Sequence, residues 1–203
     1  LIEDLDRRCR NGGRPAKPVP SVTERCDGTI TSIERGRRCV AIRAAGLCDV
    51  ALVAARMREV DRQEIRALRG DGANAADVAM DAVYGRRSVA FCAWSGDEPV
   101  AAFGAAEVRP TLWSVWLFAT EGWPTVALAA TRFVRRELLP GLLAAGANRA
   151  ECRSIVDHTQ AHRWLERLGA KHEADLIDCG PERRTFRLYA WRRGDFEDRT
   201  TGA

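Results

Sequence analysis

The order in which apolar periodicity changes along residues 39–193 restricts the fold more than any other feature of the chain. Alternation of apolar and polar residues marks a half-buried strand, and apolar residues three and four apart mark an amphipathic helix. "CVAIRA" is a short apolar run suited to a strand. In "LCDVALVAARMREVDRQEIRALRG" Val50, Val53, Ala54, Met57, Val60 and Ile65 recur at helical spacing, with Asp49 placed to cap the start. "DGANAADVAMDAVYG" predicts a shorter helix ending at Gly85. "SVAFCAWSGDEPVAAFGAAEVRP" predicts a hairpin around Ser-Gly-Asp-Glu, followed by the aromatic-rich strand "TLWSVWLFAT". "TVALAATRFVRRELL" has an apolar stripe of Val126, Ala130, Phe133, Val134 and Leu138, and Pro140 should kink or end it. The strand "NRAECRSIVD", the helix at 157–170 and the strands "KHEADLI" and "TFRLYAWRR" complete the order β-α-α-β-β-β-α-β-α-β-β. In the last strand Phe186, Leu188 and Ala190 alternate with Arg187, Tyr189 and Trp191, the pattern of a half-buried strand. An α/β fold with a central mixed β-sheet flanked by helices on both faces would bury these patterns.

The remaining sequence sets the boundaries. Residues 1–37 carry Gly-Gly, closely spaced prolines and no sustained period, which predicts a flexible or misassigned extension before a domain at 38–193. Residues 194–203 are expected to be a disordered tail. No run approaches ~18–20 uninterrupted apolar residues, so no membrane span is expected. No signal-peptide pattern opens the chain, which leaves a cytosolic setting as the expectation. The seven cysteines have no C-x-x-C spacing, so reduced thiols rather than zinc or a disulfide framework are expected. A net charge of +4 is too mild to imply nucleic-acid binding. The arginines Arg183, Arg184, Arg187, Arg192 and Arg193 are interleaved with or followed by Glu182, Asp195, Glu197 and Asp198, which argues against a phosphate track. Of the six tryptophans, Trp123, beside Pro124, is the one expected at the surface.

The stretch "DHTQAHRWLERLGA", 157–170, carries the most local information. Asp157 can cap the helix, Gln160 can reach back to it, and Gly169 suits a left-handed stop. Ala161, Trp164, Leu165 and Leu168 share one face. Together with the element order over residues 39–192, "HTQAHRWLERLGA" and its exit "WLERLGAKHEAD" resemble the last helix and following strand of the GNAT (Gcn5-related N-acetyltransferase) fold. "ALVAARMREVDRQEI" combined with "RSIVDHTQAHRWLERLGA" is similar, more narrowly, to the gene-thirteen protein family of T-seven-type short-tailed phages, whose members are associated with virion assembly or are internal virion proteins. The resemblance implies a GNAT-like (acyl-CoA N-acyltransferase) fold and a phage structural or host protein as partner.

The resemblance also exposes departures. Acetyl-CoA enzymes of this fold hold diphosphate on the backbone of a Gln/Arg-x-x-Gly-x-Gly/Ala turn before the long helix, because a helix N-terminus is an anion site that needs close approach. Here that place reads "ATEGWPTVAL", with Gly122 as its one glycine, Glu121 as an acid, Pro124 without an N–H, and no basic residue. The tyrosine that serves many of these enzymes as general acid aligns with Leu165, which has no proton to give. No bound cofactor is therefore expected, and loss of acetyl transfer is the principal reading. The alternative is an active enzyme that uses acetyl-CoA through a divergent loop. Gly122, Trp123, Thr125 and Val126 would then supply the phosphate site, and Arg109 or Arg132 the positive charge. The candidate acid–base residues are Asp61 and Glu64, on the charged helix face of "RMREVDRQE", and His158, at the start of the last helix. A solvated ion-paired face and a solvent-facing cap histidine are the plain readings of the same residues.

Overall fold

A computed structural model describes residues 39–195. The expected extension at 1–37 and most of the expected tail lie outside the described residues. Asp195, near the start of that tail, accepts from the backbone N–H of Arg192 at 2.9 Å and is ion-paired with Lys171.

Seven strands form one mixed sheet in the order β1-β2-β3-β4-β5-β7-β6. They are β1 (Val40–Ala44), β2 (Val89–Ser95), β3 (Glu98–Arg109), β4 (Leu112–Ala119), β5 (Arg149–Ile155), β6 (Lys171–Cys179) and β7 (Arg184–Arg192). Every neighbouring pair is antiparallel except β4 and β5. The helices are α1 (Leu47–Ala55), α2 (Glu59–Arg69), α3 (Ala75–Tyr84), α4 (Trp123–Phe133), α5 (Leu139–Ala144) and α6 (Thr159–Arg167), with a π-helical turn, Val134–Leu138, joining α4 to α5. Two buried clusters sandwich the sheet. Val50, Val53, Val78 and Ala79 of α1 and α3 pack with Cys92, Ala102 and Phe118. Val126, Ala130, Val134 and Leu138 pack with Leu165, Leu168, Tyr189 and Trp191.

The α/β sheet with helices on both faces matches the sequence reading, and four local expectations are corrected. The single helix expected from Leu47 onward breaks at Arg56–Arg58, where the Arg58 N–H turns to donate to the Ala119 carbonyl at 2.8 Å. Pro140 does not end the long helix. The π turn absorbs the mismatch and the proline falls in the first turn of α5, where its missing N–H leaves little unsatisfied. Asp157 does not cap α6: its carboxylate accepts from Arg184 at 2.7 Å, and His158 occupies the N-cap position without a side-chain cap bond. Strand β7 buries residues on both faces, Phe186, Tyr189, Ala190 and Trp191, because it lies inside the sheet between β5 and β6. Gly169 is the left-handed stop expected of it, at φ 81°. The β6–β7 turn packs against the end of α2 so closely that a Cβ on Gly180, at φ +69°, would lie 2.0 Å from the Ala67 carbonyl oxygen.

Candidate functional site

Strands β4 and β5 pair only at their first residues, Leu112 with Arg149, Trp113 with Ala150 and Ser114 with Glu151. Beyond that point they part, while β5 stays paired with β7 along its whole length. The gap is a cleft with a cavity of about 90 Å³, walled by Leu117 and Phe118 of β4, Cys152 and Ser154 of β5, and side chains of α2, α6 and the start of α4. The three expected acid–base residues, Asp61, Glu64 and His158, all line it.

Their surroundings give them different roles. Asp61 is 5% exposed, so the solvated-face reading fails for it. Its carboxylate accepts two hydrogen bonds from the Arg58 guanidinium, both 2.8 Å, and a third from the Ala119 backbone N–H, also 2.8 Å. Arg58 stacks over Trp123 with its charge 5.8 Å from the ring centre. Asp61 therefore clamps the end of β4 to α2, and its lone pairs are directed at these donors rather than at the open cleft. Glu64 faces the other wall. One of its oxygens lies 2.9 Å from His158 Nδ1 and accepts from Ser154 Oγ at 3.3 Å. A carboxylate can only accept, so the Nδ1 proton belongs to His158 in this pair. His158 is 6% exposed and its Nε2 has no hydrogen-bond partner among the described residues, which corrects the solvent-facing reading. In the tautomer that donates from Nδ1 to Glu64, the ring lone pair is on Nε2, which is buried at the cleft wall.

Sequence reasoning did not find Ser154 or Cys152. Each follows from strand alternation in "RAECRSI", which marks a face but not what that face meets. Burial and the nearby Glu64 carboxylate push the Cys152 thiol up to about 12, so it remains a thiol at neutral pH and is a poor nucleophile.

The turn before α4 places the expected phosphate residues next to the cleft but occupies their donors. The Gly122 N–H donates to Thr120 Oγ1 at 3.2 Å, the Trp123 N–H to the Thr120 carbonyl at 3.0 Å, and the Thr125 N–H to the Gly122 carbonyl at 3.0 Å. Pro124 has none to offer. Val126 is fully buried in the core. Trp123, expected at the surface, is 7% exposed and packs edge-on against Trp164, whose N–H donates to Thr131 Oγ1 at 2.9 Å. Glu121 adds an acid where diphosphate would sit. Arg109 lies at the β3–β4 turn, the length of β4 away, roughly 23 Å at ~3.3 Å per residue. Arg132 is about 13 Å along the helix from Trp123 at ~1.5 Å per residue. Neither is placed to supply the missing charge. Leu165, at the expected acid position, is buried in the core. The residues present do not fit the diphosphate of CoA.

Beneath α6, His162 is buried between the Ile155 carbonyl, 3.0 Å from its Nε2, and Arg187, 3.3 Å from its Nδ1. Burial, then the Arg187 charge, hold it below its ordinary value of 6.5. The folded protein therefore binds this proton less readily than the unfolded chain. The stability that His162 contributes is full above about pH 6.5 and is lost progressively as pH falls through that value towards the folded-state pKa. Urea unfolding between pH 8 and pH 5 is expected to show a steeper acid loss in the parent than in His162→Gln, which cannot titrate. Equal slopes would remove His162 from the account.

A seven-stranded mixed sheet whose one parallel pair splays around a cleft, with helices on both faces, is the fold of the GNAT acetyltransferases. Comparison with solved structures agrees. The aminoglycoside acetyltransferase AAC(6')-Ib in complex with ribostamycin and coenzyme A superposes with a TM-score of 0.60 at 16% identity, over 81% of this chain and 99% of that one. A probable GNAT-family acetyltransferase from Chromobacterium violaceum gives 0.60 at 14% identity, over 80% and 92%. Ard1 from Thermoplasma volcanium gives 0.60 at 14%, over 75% and 97%. No protein-family model and no curated protein matches the sequence.

Proposed function

We propose that this chain is a GNAT-fold protein that does not transfer acetyl groups from CoA and serves in the assembly of a phage or prophage particle, as an assembly factor or internal virion protein. The observation that carries the loss of transfer is the turn at Thr120–Thr125, where the Gly122, Trp123 and Thr125 N–H donors are hydrogen-bonded within the turn beside Glu121. Releasing them for an anion would mean breaking those bonds and placing a carboxylate against diphosphate. The buried Leu165 at the acid position supports the same conclusion. The particle role, with a phage structural or host protein as partner, rests on the resemblance of "ALVAARMREVDRQEI" and "RSIVDHTQAHRWLERLGA" to the gene-thirteen proteins.

A second reading, an active N-acetyltransferase with a divergent loop, is favoured by one observation: the Glu64–His158 pair lining the cleft, whose buried Nε2 has no hydrogen-bond partner among the described residues. Calorimetric titration with acetyl-CoA and CoA separates the two. The expected result is no heat of binding at millimolar ligand and no shift in melting. Micromolar binding, which at ~100 times the dissociation constant would stabilise the fold by about 2.7 kcal/mol, overturns the first reading.

A further inference from the structure

Eleven of the 21 arginines within residues 39–195 are ion-paired. Arg56, Arg58, Arg62, Arg69, Arg86 and Arg87 have carboxylate partners, as do Arg149, Arg183, Arg184, Arg187 and Arg192. The C-terminal hairpin arginines are among these, consistent with their not forming a phosphate track. Arg43, Arg66, Arg109 and Arg153 are also exposed without an ion pair among the described residues, each on a different element, whereas five others lie together. Arg132, Arg135 and Arg136, on α4 and the π turn, and Arg163 and Arg167, on α6, are exposed and have no ion pair or hydrogen-bond partner among the described residues.

Topology places them on one surface. Strand β5 runs parallel to β4, and β6, antiparallel to β7, runs the same way as β5. Each intervening helix is therefore a crossover to a strand on the same side, and right-handed crossovers in one direction lie on one face of the sheet. α4 and α6 run side by side and meet where Trp164 bonds Thr131. In two parallel helices touching there, the residue after Thr131 and the residue before Trp164 turn to the same outer side of the seam, at ~100° per residue. These are Arg132 and Arg163. Arg136 and Arg167 repeat them one turn on. The opposite sides carry the buried Val126, Ala130 and Leu165. Glu166, exposed between the two α6 arginines, accepts from Tyr189 Oη at 3.4 Å. Glu137, exposed beside Arg136, and Glu166 are the two acids adjacent to the set.

We propose that this outer face of α4 and α6 binds the phosphate backbone of a nucleic acid. Exposed guanidinium groups with no internal carboxylate are free to make planar, two-pronged contacts with phosphate oxygens. Nucleic acid fits better than an anionic bilayer, because an interfacial helix needs an apolar face beside its basic one. Here α6 exposes no large apolar residue and α4 exposes only Leu128.

The test is fluorescence anisotropy of a labelled double-stranded DNA oligonucleotide with the full chain, over a salt series. The parent is expected to bind at low salt, with log K falling against log salt at a slope of about −0.9 per neutralised phosphate. Arg132→Ser/Arg135→Ser/Arg136→Ser is expected to weaken binding by about tenfold or more and to make the slope shallower by about 2.7 units. Arg163→Ser/Arg167→Ser should reduce both to a smaller extent. Arg183→Ser/Arg184→Ser, which removes ion-paired arginines, should leave both unchanged. Circular dichroism melts should confirm that each variant is folded. Absence of binding at low salt, an equal loss in the Arg183/Arg184 variant, or tighter binding to phosphatidylglycerol vesicles than to DNA would each overturn the proposal. The outcome is independent of whether acetyl-CoA binds.

Discussion

Asp61→Ala is expected to destabilise the protein by about 3–5 kcal/mol, because it strands a buried cation and orphans a buried backbone donor. Arg58 is only 11% exposed at its side chain and would lose both of its 2.8 Å contacts, and the Ala119 N–H would lose its acceptor. For a chain of this size, such a loss lowers the melting temperature by roughly 10 °C. Two companions identify the cause. Asp61→Asn keeps an acceptor for Ala119 but not the charge, and should fall between parent and alanine variant. Arg58→Met/Asp61→Leu removes both charges and should be more stable than Asp61→Ala alone. An Asp61→Ala melt within a degree of the parent would show that the clamp contributes nothing. The experiment also bears on function, since a residue engaged by three donors holds the cleft together rather than working in it.

Gly104→Ala is the second large effect. Gly104 lies in β3, opposite Ala90 of β2 and Trp116 of β4. A Cβ there would stand 2.1 Å from the Val89 carbonyl oxygen and 2.8 Å from Trp116 Cζ2. The Trp116 ring could give way, but the Val89 oxygen is sheet backbone and could move only by distorting the ladder. Overpacking of this kind costs about 3 kcal/mol or more, the upper end of the usual range. Chemical denaturation of Gly104→Ala should show a lower midpoint with an unchanged slope. A midpoint equal to the parent's would mean that the strands separate there more easily than the register implies. Because Trp116 stacks on Phe118 of the cleft wall, with ring centres 5.4 Å apart, the same variant is expected to disturb the cleft.

The sequence by itself determined the order of strands and most of the helices, the buried stripe Val126, Ala130, Val134 and Leu138, the inward Leu165 and Leu168, and the stop at Gly169. These follow from period and backbone conformation, which are local properties of the chain. The poverty of the "ATEGWPTVAL" turn as an anion site was also legible, because a missing cation and a proline are visible without coordinates. The rest depended on long-range contacts. A helical wheel placed Asp61 and Glu64 on a charged face, but it could not show that Ala119, 58 residues away, fills one and that His158, 94 residues away, pairs with the other. Trp123 and His158 look like surface residues beside a proline and a helix cap, and both are buried because α4, α6 and the splayed strands converge on them. Periodicity tells which side of an element is apolar. Whether a polar group on the other side meets water or a partner depends on which distant segment the topology brings against it, and that information is not local.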